Sequence, residues 1–267
     1  MKAGAVLSAE TAQRYRQVFL EDGFLIVPAF LDPEETAEVR EQAQRYISDV
    51  VPDAPADFAF YEDAGRPETL RQVNNMQLRD RYFAELYGHS RWRLLAEVVL
   101  GEPATCIGMQ WYNKPPGTEH ATPAHQDNAS MNLDPANAVA MWLALDPVDS
   151  KNGCLRYIRG SQAEGLQRHV SRPVLGFSRR IERLDETMLE CEVAVAMEPG
   201  DLVMHGPLTI HRADANRSPR PRRALLQLFA GASCRIDEDG LRGYEAELTE
   251  TRRQLGQGAY RFAKFRP

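Results

Sequence analysis

A histidine and an aspartate two residues apart, His125 and Asp127, form the first pattern in this sequence that could do chemistry. On an extended backbone, residues i and i+2 project from the same face, so both side chains can point at one ion while Gln126 points away. An imidazole and a carboxylate are ligands of the facial triad that binds non-haem Fe(II). The third ligand has to be a histidine on a distant strand. We favour His211, which follows a Pro-Gly turn and an apolar run.

Three protein ligands on one face of an iron ion leave three positions open. Two oxygens of a 2-oxo acid and one dioxygen molecule can occupy them. The far carboxylate of 2-oxoglutarate would need a cation, and Arg222 follows His211 at the start of an apolar strand. From there a guanidinium could form a bidentate bridge to the carboxylate, while Arg223 would point to the opposite face of the strand.

Other histidines compete with this assignment. A His-x-Asp pair such as 125 and 127 is by itself weak support for a metal site. The prediction rests on the order of the pair, a histidine beyond a Pro-Gly turn and an arginine at the start of the next strand. His205 is the chief alternative to His211, but it lacks an arginine at the corresponding distance. His120 is expected to be solvated, with a contact to substrate as the alternative. His89 and His169 carry no pattern and are expected at the surface.

Polar side chains on the neighbouring predicted strands are candidates for ligand contacts. Gln110 and Tyr112 alternate along one strand and share a face, so they could contact co-substrate or substrate, or could only pack inside a barrel. Lys114 could reach into the pocket or be structural. Arg156 or Tyr157, near the mouth, could meet the substrate.

The strands that must position these residues begin at about Ala104, where short apolar runs alternate with turns such as Asn152-Gly153 and Pro199-Gly200. Many short strands separated by turns are typical of an antiparallel sandwich or barrel. The predicted strands cover residues 105–112, 139–145, 155–158, 191–196, 201–204 and 224–230, with a long insertion at 160–190.

The first hundred residues have mainly helical patterns. Ser8 can cap a first helix, and Asp32 with Glu35 can form a capping box for a second. The predicted helices run from about 8 to 20, 32 to 48 and 80 to 100, with a short strand at 24–27 and a last helix from about Tyr244 to Leu255. Residues 52–67 are expected to be irregular, and the polar residues at 61–63, 71, 74 and 75 could cover the opening.

The composition is that of an ordinary globular protein. The 267 residues are 43% apolar and 26% charged, and the net charge of −6 argues against nucleic acid or an anionic membrane as partner. No apolar run approaches the roughly 18 residues of a membrane span, and the apolar start is too short for a secretion signal. The four cysteines form no C-x-x-C pair, so we expect reduced thiols and a cytoplasmic location. Nothing in the sequence sets the oligomeric state.

From about Phe24 to Phe229, the chain resembles the phytanoyl-CoA dioxygenase family of Fe(II)/2-oxoglutarate oxygenases. The matching motifs, in family order, are NKPPG at 113–117, TPAHQD at 122–127, MWLALD at 141–146, NGCLRY at 152–157, PGD at 199–201 and HRADANRS at 211–218, followed by Arg222.

This resemblance implies a mainly β fold with flanking helices, the double-stranded β-helix or jelly roll. It implies Fe(II) at His125, Asp127 and His211, 2-oxoglutarate at Arg222, and Trp142 beside the co-substrate, with ordinary core packing as the alternative for Trp142. We therefore expect one domain over residues 1–267, with a helical part to about 103, a jelly-roll core over about 104–235 and a C-terminal helix over about 240–256.

The chain departs from the family pattern at two places. Several relatives have a serine two residues after the distal histidine, where this chain has Ala213, so the co-substrate would depend more on Arg222. Gln162 stands where relatives often have histidine, at a position expected to be structural. Asp127 is present, which disfavours halogenation, because family halogenases have a small residue there.

The predicted function is hydroxylation of an unactivated C–H bond of a small molecule, with dioxygen as oxidant and succinate and carbon dioxide as by-products. Desaturation, epoxidation and ring closure would use the same iron site and stay open. The alternatives are a non-catalytic β-sandwich binding protein and a zinc-type hydrolase on the same three ligands, in which Arg222 would lack a purpose.

Overall fold

The computed structural model describes residues 7–55, 58–63, 65–171 and 179–254. Two antiparallel sheets form its centre; strands and helices are numbered in chain order. The strands of the larger sheet, in spatial order, are β1 (Phe24–Val27), β12 (Leu202–His205), β7 (Ala138–Ala144), β14 (Arg222–Gly231), β4 (Ala104–Lys114), β3 (Leu70–Asn74) and β2 (Ala59–Tyr61). Those of the smaller sheet are β11 (Glu192–Val195), β8 (Leu155–Ile158), β13 (His211–Ala213) and β5 (Thr122–His125).

The described residues also contain two short ladders, six α-helices and several short 3-10 helices. The ladders pair β9 (His169–Ser171) with β10 (Arg179–Ile181), and β6 (Leu133–Asp134) with β15 (Arg235–Ile236). The α-helices are α1 (Ala9–Asp22), α2 (Pro33–Asp49), α3 (Arg81–Leu86), α4 (Ser90–Leu100), α5 (Asn128–Met131) and α6 (Glu238–Gln254). No helix in these described ranges is long and apolar enough to cross a bilayer.

Strand β7 shows why the two sheets form one core. All seven of its residues are buried, because one face packs on the smaller sheet and the other on the helices. Trp142 lies in the first layer, with Leu226 of β14 and Tyr157 of β8. Leu143 lies in the second, with Trp92 of α4. The continuous apolar run at 139–145 therefore predicts a strand covered on both sides, and the predicted jelly roll with flanking helices is confirmed.

The N-terminal helices begin where the sequence predicts. The Ser8 side chain accepts a hydrogen bond from the Thr11 amide, and Asp32 and Glu35 form a complete capping box for α2. The helical pattern predicted over about 80–100 forms two helices, α3 and α4. Gly88 between them has a φ of 65°, a left-handed conformation that glycine adopts without strain.

The prediction of irregular chain at 52–67 was also wrong in part, because β2 forms there and β3 follows. Both extend the larger sheet beyond β4. Strand β3 was missed because two of its buried residues, Gln72 and Asn74, are polar. The strand therefore lacks the alternation of apolar and polar residues that is typical of a half-buried strand.

Three predicted segments reach residues outside the described ranges. The predicted irregular chain includes residues 56–57 and 64, the insertion at 160–190 includes residues 172–178, and the last helix was expected to extend to 255 or 256. In its described part that helix, α6, begins at Glu238, six residues before the predicted Tyr244.

Candidate metal centre

His125 and His211 are directly paired neighbours on β5 and β13, and Asp127 follows β5 in the first turn before α5. Their ligand atoms all lie within 4.8 Å of one another. The Asp127 Oδ1 atom is 3.6 Å from Nε2 of each histidine. The extended backbone assumed for this pair ends at His125, because Asp127 has φ −61° and ψ −33°. The turn still brings its carboxylate to the two rings.

Backbone carbonyl groups fix the orientation of both imidazoles. The His125 Nδ1 atom lies 2.8 Å from the Pro123 carbonyl oxygen, and the His211 Nδ1 atom lies 3.0 Å from that of Thr209. Since a carbonyl oxygen only accepts, each Nδ1–H donates, and each Nε2 keeps its lone pair for the centre. Outer hydrogen bonds of this kind set the tautomer of metal-binding histidines in general.

The protonation states suit a divalent cation. Burial, followed by the nearby His125 and His205, lowers the pKa of His211 well below its ordinary value, so its imidazole is neutral. Burial acts to raise the pKa of the Asp127 carboxyl, but His211 and the hydrogen bond from His205 outweigh it and hold that pKa well below its usual range. At neutral pH the centre offers a carboxylate and a neutral imidazole, as Fe(II) sites do.

His205, the alternative third ligand, lies beside the centre but outside the converging group. Its Nε2 atom is 3.1 Å from Asp127 Oδ2, and its Nδ1 atom is 2.9 Å from the Tyr157 hydroxyl. This contact of His205 with Asp127 was not predicted from the sequence. The available signal was the position of His205 at the end of a buried strand, but the register that turns its side chain inward is set by pairing of β12 with β1 and β7.

Arg222 is a buried cation at the start of β14. Its Nη1 donates to the Gly153 carbonyl oxygen at 2.6 Å, and its guanidinium lies 5.2 Å from the centre of the Trp142 ring. Its Nε atom is buried without a hydrogen-bond partner, and no carboxylate of the described residues lies within ion-pair distance. Burial lowers the pKa of the guanidinium to about 10. A buried guanidinium with an unused donor fits an anion-binding site.

The neighbouring Arg223 points to the other face, as predicted. Its Nε and Nη2 atoms donate to the two carboxylate oxygens of Asp146 at 2.8 and 2.6 Å. Arg223 is thus already paired, which distinguishes it from Arg222.

Lys114 reaches the same interior. It is the strand partner of Arg222, and its Nζ donates to the backbone oxygens of Ala213 and Asp214. Burial, followed by the positive charges of Arg222 and Arg71, lowers its pKa to about 7.

Tyr157 links the cation to the histidine–aspartate centre. Burial raises the pKa of its hydroxyl well above the ordinary value, the Asp127 charge acts in the same direction, and the Arg222 charge acts in the opposite one. The Tyr157 ring also lies 5.7 Å from the His211 ring and belongs to the same buried layer as Trp142, on which the Arg222 guanidinium lies. The centre and Arg222 therefore border the same layer between the two sheets.

A polar strip borders this interior on β3 and β4. Register places Gln110 beside Leu226, an inward-facing residue, and places Gln72 and Asn74 beside Tyr112 and Gln110. The Tyr112 hydroxyl donates to Gln110 Oε1 at 2.6 Å, and Gln72 Nε2 donates to Asn74 Oδ1 at 2.8 Å. We call Gln72, Asn74, Gln110 and Tyr112 the amide strip. Gln72 was not identified from the sequence.

The remaining candidate residues are His120, Arg156 and His169. His120 is exposed and lies 3.5 Å from Glu62. Arg156 does not face the interior, because it pairs with Asp214 and Glu192 in a surface ion-pair network. His169, expected at the surface, is half-buried, and its Nε2 accepts a hydrogen bond from the Gln126 amide beside the centre.

The family model described as phytanoyl-CoA dioxygenase (PhyH) matches residues 19–224. The peroxisomal phytanoyl-CoA dioxygenase of Bos taurus is 34% identical, over 84% of this chain and 70% of that protein. Phytanoyl-CoA dioxygenase 1 of Oryza sativa subsp. japonica is 37% identical, over 52% of this chain and 49% of that protein.

Solved structures have the same fold. EvdO2 from Micromonospora carbonacea var. aurantiaca, complexed with 2-oxoglutarate, is 25% identical with a TM-score of 0.69 and covers 90% of this chain and 96% of its own. The non-heme alpha ketoglutarate dependent epimerase SnoN from nogalamycin biosynthesis is 21% identical with a TM-score of 0.70, covering 89% and 90%. At that identity SnoN shows the fold alone.

Proposed function

Because this chain belongs to the phytanoyl-CoA dioxygenase family and is a 2-oxoglutarate-dependent dioxygenase, we propose that His125, Asp127 and His211 hold Fe(II) and that Arg222 anchors 2-oxoglutarate. We propose that the enzyme hydroxylates a C–H bond of a small polar molecule. The observation that carries this proposal is the convergence of two imidazole nitrogens and one carboxylate oxygen, together with a buried arginine that has no carboxylate partner among the described residues.

The donor set fits ferrous iron. Two Nε2 atoms and Asp127 Oδ1 converge from adjacent elements, so they can occupy one face of an octahedral ion. When bound, iron and 2-oxoglutarate supply the oxidising chemistry, with dioxygen as oxidant and succinate and carbon dioxide as by-products. The protein's part is to orient these groups and to keep the three remaining positions free of its own side chains.

The cationic end of the interior fits the dicarboxylate. Arg222 has an unused Nε donor, and Lys114 is bound only to backbone carbonyl oxygens in the described structure. An anion there would offset the cost of burying two positive charges. Trp142, under the guanidinium, keeps it directed into the interior and would line the co-substrate.

The amide strip supports a polar substrate. Gln110 and Tyr112 were predicted to contact co-substrate or substrate, and we assign them, with Gln72 and Asn74, to this part of the interior. Amide and hydroxyl groups lining a pocket discriminate strongly in favour of substrates that hydrogen-bond to them, because unpaired buried polar groups are costly. These side chains bond to one another, but Gln72 Oε1 is buried without a hydrogen-bond partner. A long hydrocarbon chain against this strip would leave that oxygen unpaired, so we favour a small hydroxylated or nitrogen-containing molecule.

The direct test is succinate formation in a panel of polar small molecules with Fe(II), 2-oxoglutarate and oxygen. We expect turnover by the wild type and at least about a 1,000-fold loss in Asp127→Ala, since a metal ligand is removed. Asp239→Ala, on the exposed start of α6, is the matched control and should retain turnover. Wild-type rates in Asp127→Ala, or product formation without oxygen, would contradict the proposal; the second result would favour the zinc hydrolase.

A cytoplasmic location is also part of the proposal. Its support is that the cysteines at 106, 154, 191 and 234 are all free thiols, as expected for a reducing compartment.

A further inference from the structure

We propose that His205 is a positioning residue that restricts Asp127 to one-oxygen coordination of the metal. The inference rests on the proposed function, because it assumes a metal ion at His125, Asp127 and His211. It rests on hydrogen-bond geometry, and it assigns a role to two buried residues, His205 and Tyr157, that the metal and 2-oxoglutarate sites do not use.

The two carboxylate oxygens of Asp127 face different partners. Oδ1 lies 3.6 Å from Nε2 of both His125 and His211, and so faces the candidate centre. Oδ2 lies 3.1 Å from Nε2 of His205 on β12. One oxygen is therefore directed at the metal position and the other is engaged by a neighbour.

The direction of this hydrogen bond follows from the chemistry of its groups. An ionised carboxylate only accepts, so His205 Nε2 carries the hydrogen and donates to Oδ2. In the tautomer that carries its hydrogen on Nε2, the other nitrogen is an acceptor, and the Tyr157 hydroxyl, 2.9 Å from Nδ1, donates to it. Tyr157, His205 and Asp127 thus form a directed relay in which the tyrosine sets the tautomer of the histidine.

Packing holds this relay in place. Tyr157 is fully buried and stacks on Phe24, with ring centres 4.6 Å apart and planes 13° apart. Phe24 is in turn the strand partner of His205. His205 is only 2% exposed, so a water molecule cannot readily replace its contacts. The His205 ring that donates to Oδ2 is therefore held in one orientation by its neighbours.

The relay matters because the number of free metal positions is limited. A carboxylate that coordinates through both oxygens would occupy a position that the 2-oxo acid and dioxygen require. With Oδ2 engaged by His205, Asp127 can bind through Oδ1 without closing that position. Loss of the donor should therefore affect both metal binding and 2-oxoglutarate binding, even though His205 contacts neither.

The test uses the full chain with Co(II) as the metal probe. Calorimetry measures Co(II) affinity, a second titration measures 2-oxoglutarate affinity of the Co(II)-loaded protein, and the visible spectrum reports the ligand field. We expect His205→Leu to weaken Co(II) binding by about 10- to 100-fold, in the range observed for outer-shell partners of metal ligands. We also expect weaker 2-oxoglutarate binding and an altered spectrum. Tyr157→Phe, which keeps the ring, should change all three in the same direction but less.

His205→Gln and His120→Leu complete the design. A glutamine amide can donate to Oδ2, so His205→Gln should recover part of the Co(II) and 2-oxoglutarate affinity. His120→Leu replaces an exposed histidine and should match the wild type. A merely structural role for His205 would lower the unfolding temperature of the leucine variant and leave its Co(II) spectrum and both affinities unchanged.

Failure of this inference is distinguishable from failure of the proposed function. If the wild type binds Co(II) and a folded His205→Leu binds it with the same affinity and spectrum, the relay is overturned and the metal site stands. If the wild type binds no Co(II), the metal site and the relay both fail. Should His205→Leu not fold, Tyr157→Phe and His205→Gln decide, and wild-type values for both would overturn the proposal.

Discussion

Lys114 and Arg222 face each other across the β4–β14 ladder, buried side by side with backbone carbonyl oxygens as their hydrogen-bond acceptors. Burial lowers the pKa of Lys114 to about 7, and repulsion from the Arg222 charge acts in the same direction. Neither has a carboxylate of the described residues within ion-pair distance, and this supports the proposal that the pair holds an anion. Their properties lead to the first three predictions.

The affinity for 2-oxoglutarate should rise as the pH falls through about 7. Below that pKa Lys114 is charged, and a carboxylate beside it raises the pKa, so binding takes up a proton. Calorimetry on the metal-loaded protein should show about threefold to tenfold tighter binding near pH 6 than near pH 8.5. Lys114→Met should remove most of this dependence. A wild-type affinity that is constant over this interval, or that rises with pH, would argue against an anion beside Lys114.

Stability should show the opposite pH trend in the ligand-free protein. The folded-state pKa of Lys114 is about 7, below its ordinary value of 10.5, so the unfolded chain binds more protons between these values. The free energy of unfolding of the wild type should therefore rise relative to Lys114→Met from about pH 7 to about pH 10, by at most about 1.4 kcal/mol per pH unit. Urea unfolding at several pH values measures it. A difference that does not change with pH would show that Lys114 is charged in both states.

Arg222 should contribute to 2-oxoglutarate binding and not to metal binding. Arg222→Gln removes a buried charge-assisted bridge, so we expect the KM for 2-oxoglutarate to rise about 100-fold or more, with unchanged Co(II) affinity. The control is the adjacent Arg223→Gln, since Arg223 points to the other face and pairs with Asp146. It can lower stability but should leave this KM within about twofold. Equal effects of the two substitutions would be inconsistent with the assignment.

The ion-pair network on the outer face of the smaller sheet should stabilise the strand that carries His211. Arg212 donates to Glu192 and Asp214, which both also pair with Arg156, across β11, β8 and β13. These side chains are partly exposed, so Arg212→Met should lower the free energy of unfolding by only about 1 kcal/mol. Urea unfolding should show that this loss shrinks at high salt. A loss that is independent of salt would indicate packing by the arginine stem instead.

Sequence patterns could predict the parts of the site that depend on short spacings. His125, Asp127, His211 and Arg222 stand beside turns and strand ends. The structure brings the first three together and buries Arg222 at the start of β14. The relay of Tyr157 and His205 could not be predicted, because it depends on how β12 and β8 are placed in two different sheets. Strand β3 was missed for a related reason: Gln72 and Asn74 are polar yet buried, and only the neighbouring strand shows why.

The most direct test of whether His125, Asp127 and His211 hold one iron ion is anomalous diffraction at the iron edge. The crystals are grown without oxygen in Fe(II) and 2-oxoglutarate. We expect one iron peak within about 2.0–2.3 Å of His125 Nε2, His211 Nε2 and a single oxygen of Asp127, with the far carboxylate of 2-oxoglutarate at Arg222. An iron peak elsewhere, or no bound iron although all three side chains are ordered, would contradict the account.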